Sequence, residues 1–219
     1  MKKILWIGSY LVPSGFSKVN RSIIKHLASK YEITMLDYDK VVKNGIQDFE
    51  GIKITGTSGP NDLYAFKKLQ QMDFDSFDII FILNDPWGIS QFLHILKQRS
   101  CKAKVVCYFP VDATGHYHEW YRYFDMVDVP VTYTEFGYKE VVSVAPELKD
   151  RLQIIPHGID TSVFHRLDTP KSELREKYFK TDKYNDTVIF LNANRNQPRK
   201  RLDITMNAFS RALKGKDAL

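Results

Sequence analysis

Apolar residues fall along this chain in short runs that alternate with stretches of helical spacing. Ile4 to Ile7 is a continuous apolar run, the pattern of a strand buried on both faces of a parallel sheet. A loop with Pro13, Ser14, Gly15 and Phe16 follows, and Val19, Ile23, Ile24 and Leu27 then recur on one helical face. Further strands are expected at Ile33 to Leu36, Ile52 to Thr55, Phe77 to Leu83, Val105 to Phe109, Val129 to Tyr133 and Leu152 to Ile155. Helices are expected around Asp62 to Met72 and from Trp87 to Gln98, where Ile89, Phe92, Leu93 and Leu96 share a face. This alternation predicts an α/β fold, a Rossmann-like doubly wound parallel sheet, with ligands bound beyond the carboxyl ends of its strands.

The pattern breaks after Ile155. Pro156-His157-Gly158-Ile159-Asp160 leads into a charge-rich interval, in which Leu174, Tyr178 and Phe179 point to a helix rather than a free tether. A new strand, loop and helix unit is then expected: Val188 to Leu191, a loop with Arg195, Arg199, Lys200 and Arg201, and an amphipathic run with Leu202, Met206, Phe209 and Leu213. The expected organisation is an N-terminal domain over 1–165, a linker over 166–186 and the start of a second domain over 187–219. The cationic loop reads as an anion cradle at a helix start or as a solvated face. Cations oppose the helix dipole there, which calls for a reason beyond solubility.

Composition narrows the class. The chain has 219 residues, 43% hydrophobic and 26% charged, which suits a soluble globular protein with a sizeable core. A net charge of +6 would permit contact with nucleic acid or an anionic membrane surface. The lysines are dispersed and no basic patch is interleaved with aromatics, so no specific nucleic-acid binding is expected, while peripheral membrane contact stays open. Cys101 and Cys107 match no zinc spacing, and no run approaches the ~18 apolar residues of a membrane span. A cytoplasmic setting is expected.

Candidate chemistry starts at the first loop. It contains neither G-x-G-x-x-G nor a P-loop, only Gly15 before a helix; that glycine either admits a ligand close to the backbone or supplies a positive φ. Three segments carry a resemblance: Pro13-Ser14-Gly15-Phe16, the junction Ile154 to Phe164 with its Pro-His-Gly-Ile-Asp core, and Arg195 followed five residues later by Lys200. Together they resemble the glycosyltransferase family 4 type of sugar-nucleotide transferase, whose GT-B fold sets two Rossmann-like domains across a cleft.

The resemblance implies a retaining transfer of a sugar from a nucleotide diphosphate sugar to an acceptor that the sequence does not identify. Arg195, Lys200 and Gly15 would bind the donor diphosphate, and fixed cations there would stabilise the leaving group. Asp112, after the Val105 to Phe109 strand, would orient hydroxyls, with His116 a second catalytic candidate; a solvated loop is the competing reading for both His116 and His118. No metal or other cofactor is implied, and His116-x-His118 has no ligand cluster around it. The chain departs from the family in lacking a glycine after Lys200 and in stopping one strand and one helix into the donor-side domain. The isolated chain is therefore expected to need a second polypeptide or further C-terminal sequence for catalysis. The alternative is a non-catalytic binding or assembly module that keeps only the acceptor-side half.

Overall fold

The structure is a computed structural model that describes residues 1–42 and 46–215. Residues 216–219 of the expected second domain lie outside the described residues. The chain divides into two compact units, Met1–Gly158 and Ile159–Leu219.

The first unit is built on one sheet. In chain order it contains β1 (Lys2–Gly8), α1 (Gly15–Leu27), β2 (Tyr31–Val41), β3 (Gln47–Phe49), β4 (Ile52–Thr57), α2 (Phe66–Gln70), β5 (Ile79–Leu83), α3 (Pro86–Gln98), β6 (Lys104–Phe109), β7 (Val129–Thr132), α4 (Glu135–Val144) and β8 (Gln153–Ile154). The strand order is β3-β4-β2-β1-β5-β6-β7-β8, parallel throughout except for the antiparallel edge strand β3. Set aside β3, and the chain winds outward from β1 in one direction through β2 and β4, then returns to β5 and winds the other way. The fold is Rossmann-like α/β, with its topological switch point between β1 and β5.

β1 shows why the continuous apolar run reads as it does. Leu5 and Ile7 face a core shared with Ile80, Ile82, Val105, Cys107 and the helices α3 and α4; Ile4 and Trp6 face a second core shared with Met35, Ile54 and Ile24 of α1. A strand with helices on both faces has no solvent side, so alternation disappears from its sequence.

Two details fix where the first loop leaves the sheet. Asn20 of α1 is fully buried; it accepts from Trp6 Nε1 (2.8 Å) and donates to the Ser9 carbonyl (2.7 Å), tying β1 to the helix that follows it. A Cβ at Gly8 would lie 2.5 Å from Asn20 Nδ2, so only glycine fits beneath this amide.

The second unit contains α5 (Lys171–Phe179) and α6 (Leu202–Ala212). The buried guanidinium of Arg175 donates to the carbonyls of Tyr184 and Asn185, and Phe179 packs on Tyr184 with ring centroids 5.6 Å apart. The interval expected as a linker thus folds locally. The strand expected at 188–191 is reduced to an isolated bridge at Val188. A strand is stabilised by its ladder, and among the described residues no neighbouring strand pairs with this segment. Its apolar character remains, with Leu191 87% exposed, and Phe190 packs on Phe209 of α6 at 4.9 Å.

Candidate functional site at the carboxyl edge of the sheet

The loop after β1 opens onto the switch point. Ser14 caps α1, accepting from Ser17 N (3.0 Å), while Ser17 Oγ accepts from Ser14 N (2.9 Å), a capping box. Such a cap stabilises a helix start by about 1 kcal/mol. The loop is also tied to β2. Asp37, fully buried within β2 opposite Gly8 at the end of β1, accepts through Oδ2 from Leu11 N (2.7 Å) and Tyr10 N (3.2 Å) and through Oδ1 from Asp39 N (2.9 Å). Burial raises the Asp37 pKa, and the backbone hydrogen bonds pull the other way. In dinucleotide-binding sheets an acid near this point takes the ribose hydroxyls. Here it is occupied by the loop itself, in keeping with the missing G-x-G-x-x-G.

Gly15 is the first residue of α1 and is exposed. It does not need a positive φ, and a Cβ built on it meets nothing within 4 Å. Neither its backbone conformation nor its neighbours within the chain demand glycine. What glycine leaves here is open space beside the first turn of a 13-residue helix, whose Ser17 N–H the cap already occupies and which carries no acidic residue.

Across the switch point, β5 ends in Asn84 and Asp85 at the start of α3. Asp85 lies close enough to Tyr38 and Tyr133 for its charge to raise both phenol pKa values, although burial is the larger cause for each. Tyr38 donates to the Leu83 carbonyl (3.3 Å). The hydroxyl of Tyr133 is buried with no hydrogen-bond partner among the described residues, as is the Asn84 amide nitrogen. On the α1 side, His157 lies over Tyr133 (centroids 4.0 Å) and Tyr108 (5.5 Å), and Phe16 packs against the same tyrosine cluster. Tyr108 donates to the Ile155 carbonyl (2.9 Å), and burial pushes its pKa up to about 12. Desolvation lowers the His157 pKa and favours the neutral ring.

The loop after β6 carries Asp112 and His116, and the structure brings them together. Glu140 of α4 clamps the loop, its Oε1 accepting from Gly115 N (2.7 Å) and His116 N (3.1 Å). His116 Nδ1 lies 2.7 Å from the hydroxyl of buried Tyr121. Burial lowers the His116 pKa; Glu140 and then Asp112 act against it. A neutral ring whose Nδ1 accepts from Tyr121 carries its proton on Nε2. His116 is therefore a held residue and not a solvated loop side chain. Asp112 is exposed. His118 behaves differently: it is exposed and 3.2 Å from Glu147, an ion pair only when protonated. Among the described residues no group of His, Cys, Asp and Glu is arranged to hold a metal ion.

In the second unit, Arg195 is exposed and Lys200 half-buried, and neither forms an ion pair with a carboxylate among the described residues. The cations do not open α6 as expected. Pro198–Lys200 form a separate 3-10 turn, and Arg201, left-handed with φ 45°, separates that turn from the helix. Arg201 makes a two-pronged contact with Asp203 (3.0 and 2.7 Å), which holds the Asp203 carboxyl at about 2. The first turn of α6 thus carries Asp203, the charge that suits the dipole, and Arg199 and Lys200 stand before it.

Gly15, Asp112 and His116 share the carboxyl edge of one sheet, while Arg195 and Lys200 share one exposed segment of the other unit. Asp85, Tyr133 and His157 join the edge without having been singled out in the sequence. The position of Asp85 after a buried strand at the switch point was the available signal. No protein-family model matches the chain, and no curated protein matches it.

Proposed function

We propose that the chain carries the acceptor-side domain of a retaining glycosyltransferase of the family 4 type, together with the donor-side segment that holds Arg195 and Lys200. Arg195 and Lys200 take the diphosphate of a nucleotide sugar. In the first unit, Gly15 leaves the start of α1 open to an approaching ligand. Asp112 orients sugar hydroxyls. His116, neutral and backed by Tyr121, offers Nε2–H as a hydrogen-bond donor. Cations fixed where charge develops on a departing diphosphate lower the barrier to its departure. The donor is a substrate, and the chemistry calls for no metal. Cys101 and Cys107 are both free, in keeping with a reducing cytoplasm. Among the described residues no helix is long and apolar enough to cross a membrane.

The observation that carries this reading is Gly15. A glycine with an ordinary φ and empty space around it, at a capped helix start beside the switch point, leaves room for a ligand to approach the backbone. Gly15→Val fills that space without touching the core. Uridine and guanosine diphosphate sugars should bind the wild-type chain, measured by calorimetry, and bind Gly15→Val at least about tenfold more weakly at an unchanged melting temperature. Equal binding to both proteins sinks this role for Gly15.

One observation favours a second reading, a non-catalytic module that works with another polypeptide. Val188, Leu191, Ile204 and Met206 are each apolar and exposed in the second unit, side chains that a partner could cover. That reading gains if neither donor sugar binds.

A further inference from the structure

A further group of aromatic side chains lies between the segment after β4 and the start of α3. Tyr64 and Trp87, 36% and 39% exposed, meet edge to face with ring centroids 5.7 Å apart and form an open corner beside Asp85. The corner is held from behind: Tyr64 packs on Tyr38 (5.9 Å) and Phe66 (5.8 Å), and Tyr38 in turn stacks on Phe92 of α3.

Its backbone is strained. Tyr64 and Ala65 both have positive φ, 53° and 56°, in a turn without glycine. Left-handed conformations cost a non-glycine residue roughly 1–2 kcal/mol, and persist where the surroundings impose them. Asp62 imposes this one. Buried at the mouth of the turn, it accepts from Ser58 N (2.8 Å) and Lys68 N (3.2 Å) through Oδ2 and from Lys67 N (2.7 Å) through Oδ1. A carboxylate with three backbone donors fixes a strained turn, and the product is a tyrosine ring displayed beside Trp87.

We propose that this corner is a saccharide-binding platform, in which Tyr64 and Trp87 take the apolar face of a pyranose and Asp85 accepts from its hydroxyls. A pyranose has a ring face of C–H groups and a rim of hydroxyls, so it is recognised by an aromatic surface with a carboxylate at its border. The rim of this corner supplies that polarity. Asp85, half-buried at the start of α3, lies two positions before Trp87. A lipid surface would be met by apolar side chains with cations around them. Leu63, exposed next to Tyr64, and Lys67 supply part of that arrangement, but the carboxylate of Asp85 beside the corner opposes an anionic surface. Calling the bound saccharide the acceptor rests on the transferase reading; its binding does not.

The test is saturation-transfer NMR on the 219-residue chain with the methyl α- and β-pyranosides of glucose, galactose, mannose and N-acetylglucosamine. At least one should bind, and Trp87→Ala and Tyr64→Ala should each weaken it about tenfold or more. Asp85→Asn, which leaves both rings in place, should weaken it as well, whereas Tyr178→Ala on the second unit should not. Absence of binding by all eight glycosides overturns the proposal, as does binding that survives all three substitutions at the corner. Flotation with phosphatidylcholine and phosphatidylglycerol vesicles that depends on Trp87, without glycoside binding, assigns the corner to lipid and overturns it too. Loss of nucleoside diphosphate binding alone removes the transferase reading and leaves the glycoside signal intact.

Discussion

Asp37→Asn puts the architecture of the first loop to a quantitative test. The carboxylate accepts three backbone N–H groups, two on Oδ2 and one on Oδ1. An asparagine has one acceptor oxygen. If that oxygen keeps Tyr10 and Leu11, its NH2 group faces the N–H of Asp39, and one buried donor loses its partner. Leaving a buried group unsatisfied costs about 1–3 kcal/mol, and hydrogen bonds to a charged acceptor contribute about 1.5–3 kcal/mol. Removing a buried charge returns part of this, because burial is the largest influence on Asp37. The net expectation is a loss of about 2 kcal/mol, or roughly 4–8 °C in melting temperature for a chain of this size. The pH dependence has a definite sign. The folded pKa is raised, so the stability contributed by Asp37 is full below its unfolded value of about 3.9 and declines as pH rises through the folded value. The deficit of Asp37→Asn should therefore be largest near the acid end and shrink towards neutrality. Urea unfolding followed by circular dichroism across that range measures it. A deficit below about 0.5 kcal/mol throughout, or one that grows with pH, refutes the reasoning.

Three further outcomes are expected. Gly8→Ala places a methyl 2.5 Å from Asn20 Nδ2, displacing the amide that joins Trp6 to Ser9, and thermal melts should show a loss of about 1–3 kcal/mol. The His116 ring should titrate in NMR with a midpoint below the ordinary value of about 6.5, since burial outweighs Glu140 and Asp112. Its contribution to stability is then present above the unfolded pKa and fades as pH falls through the folded one; a midpoint above 6.5 would contradict the assignment. Lys200→Ala should leave the melting temperature within about 1 °C, because Lys200 has no ion pair among the described residues.

The sheet was legible because its strands are buried on both faces: runs such as Ile4 to Ile7 and Ile79 to Leu83 have no polar alternation to confuse them. β3 was not legible. It is three residues long, exposed and polar, and is a strand only because β4 offers an edge. The helix expected over 62–72 shortened to Phe66–Gln70 because Tyr64 and Ala65 are left-handed, a turn that Asp62 holds by accepting from Ser58 N and from Lys67 N and Lys68 N in the first turn of the helix. The 188–191 segment shows the converse: an apolar pattern predicts a strand, but a strand forms only where a neighbour pairs with it.

The candidate residues divide in the same way. Asp112 and His116 could be placed from the end of a buried strand, and Gly15 from the loop before a helix. The clamp by Glu140 and the support of Tyr121 bring together residues far apart in sequence, and no spacing rule marks them. Asp85 and Tyr133 become visible only when β5 and β7 are seen in one sheet with β1. The cations at 199–201 were legible as charge but not as geometry, since the left-handed Arg201 that takes them out of α6 has no glycine or asparagine to announce it.

The most direct measurement is a calorimetric comparison of uridine, uridine diphosphate and uridine diphosphate glucose, with guanosine diphosphate mannose alongside, on the wild-type chain, Arg195→Ala and Lys200→Ala. The expected result is that a nucleoside diphosphate binds, the bare nucleoside does not, and either substitution weakens binding about tenfold or more. Indifference to the diphosphate, or full affinity in both variants, would contradict the claim that this segment holds a sugar donor by its phosphates.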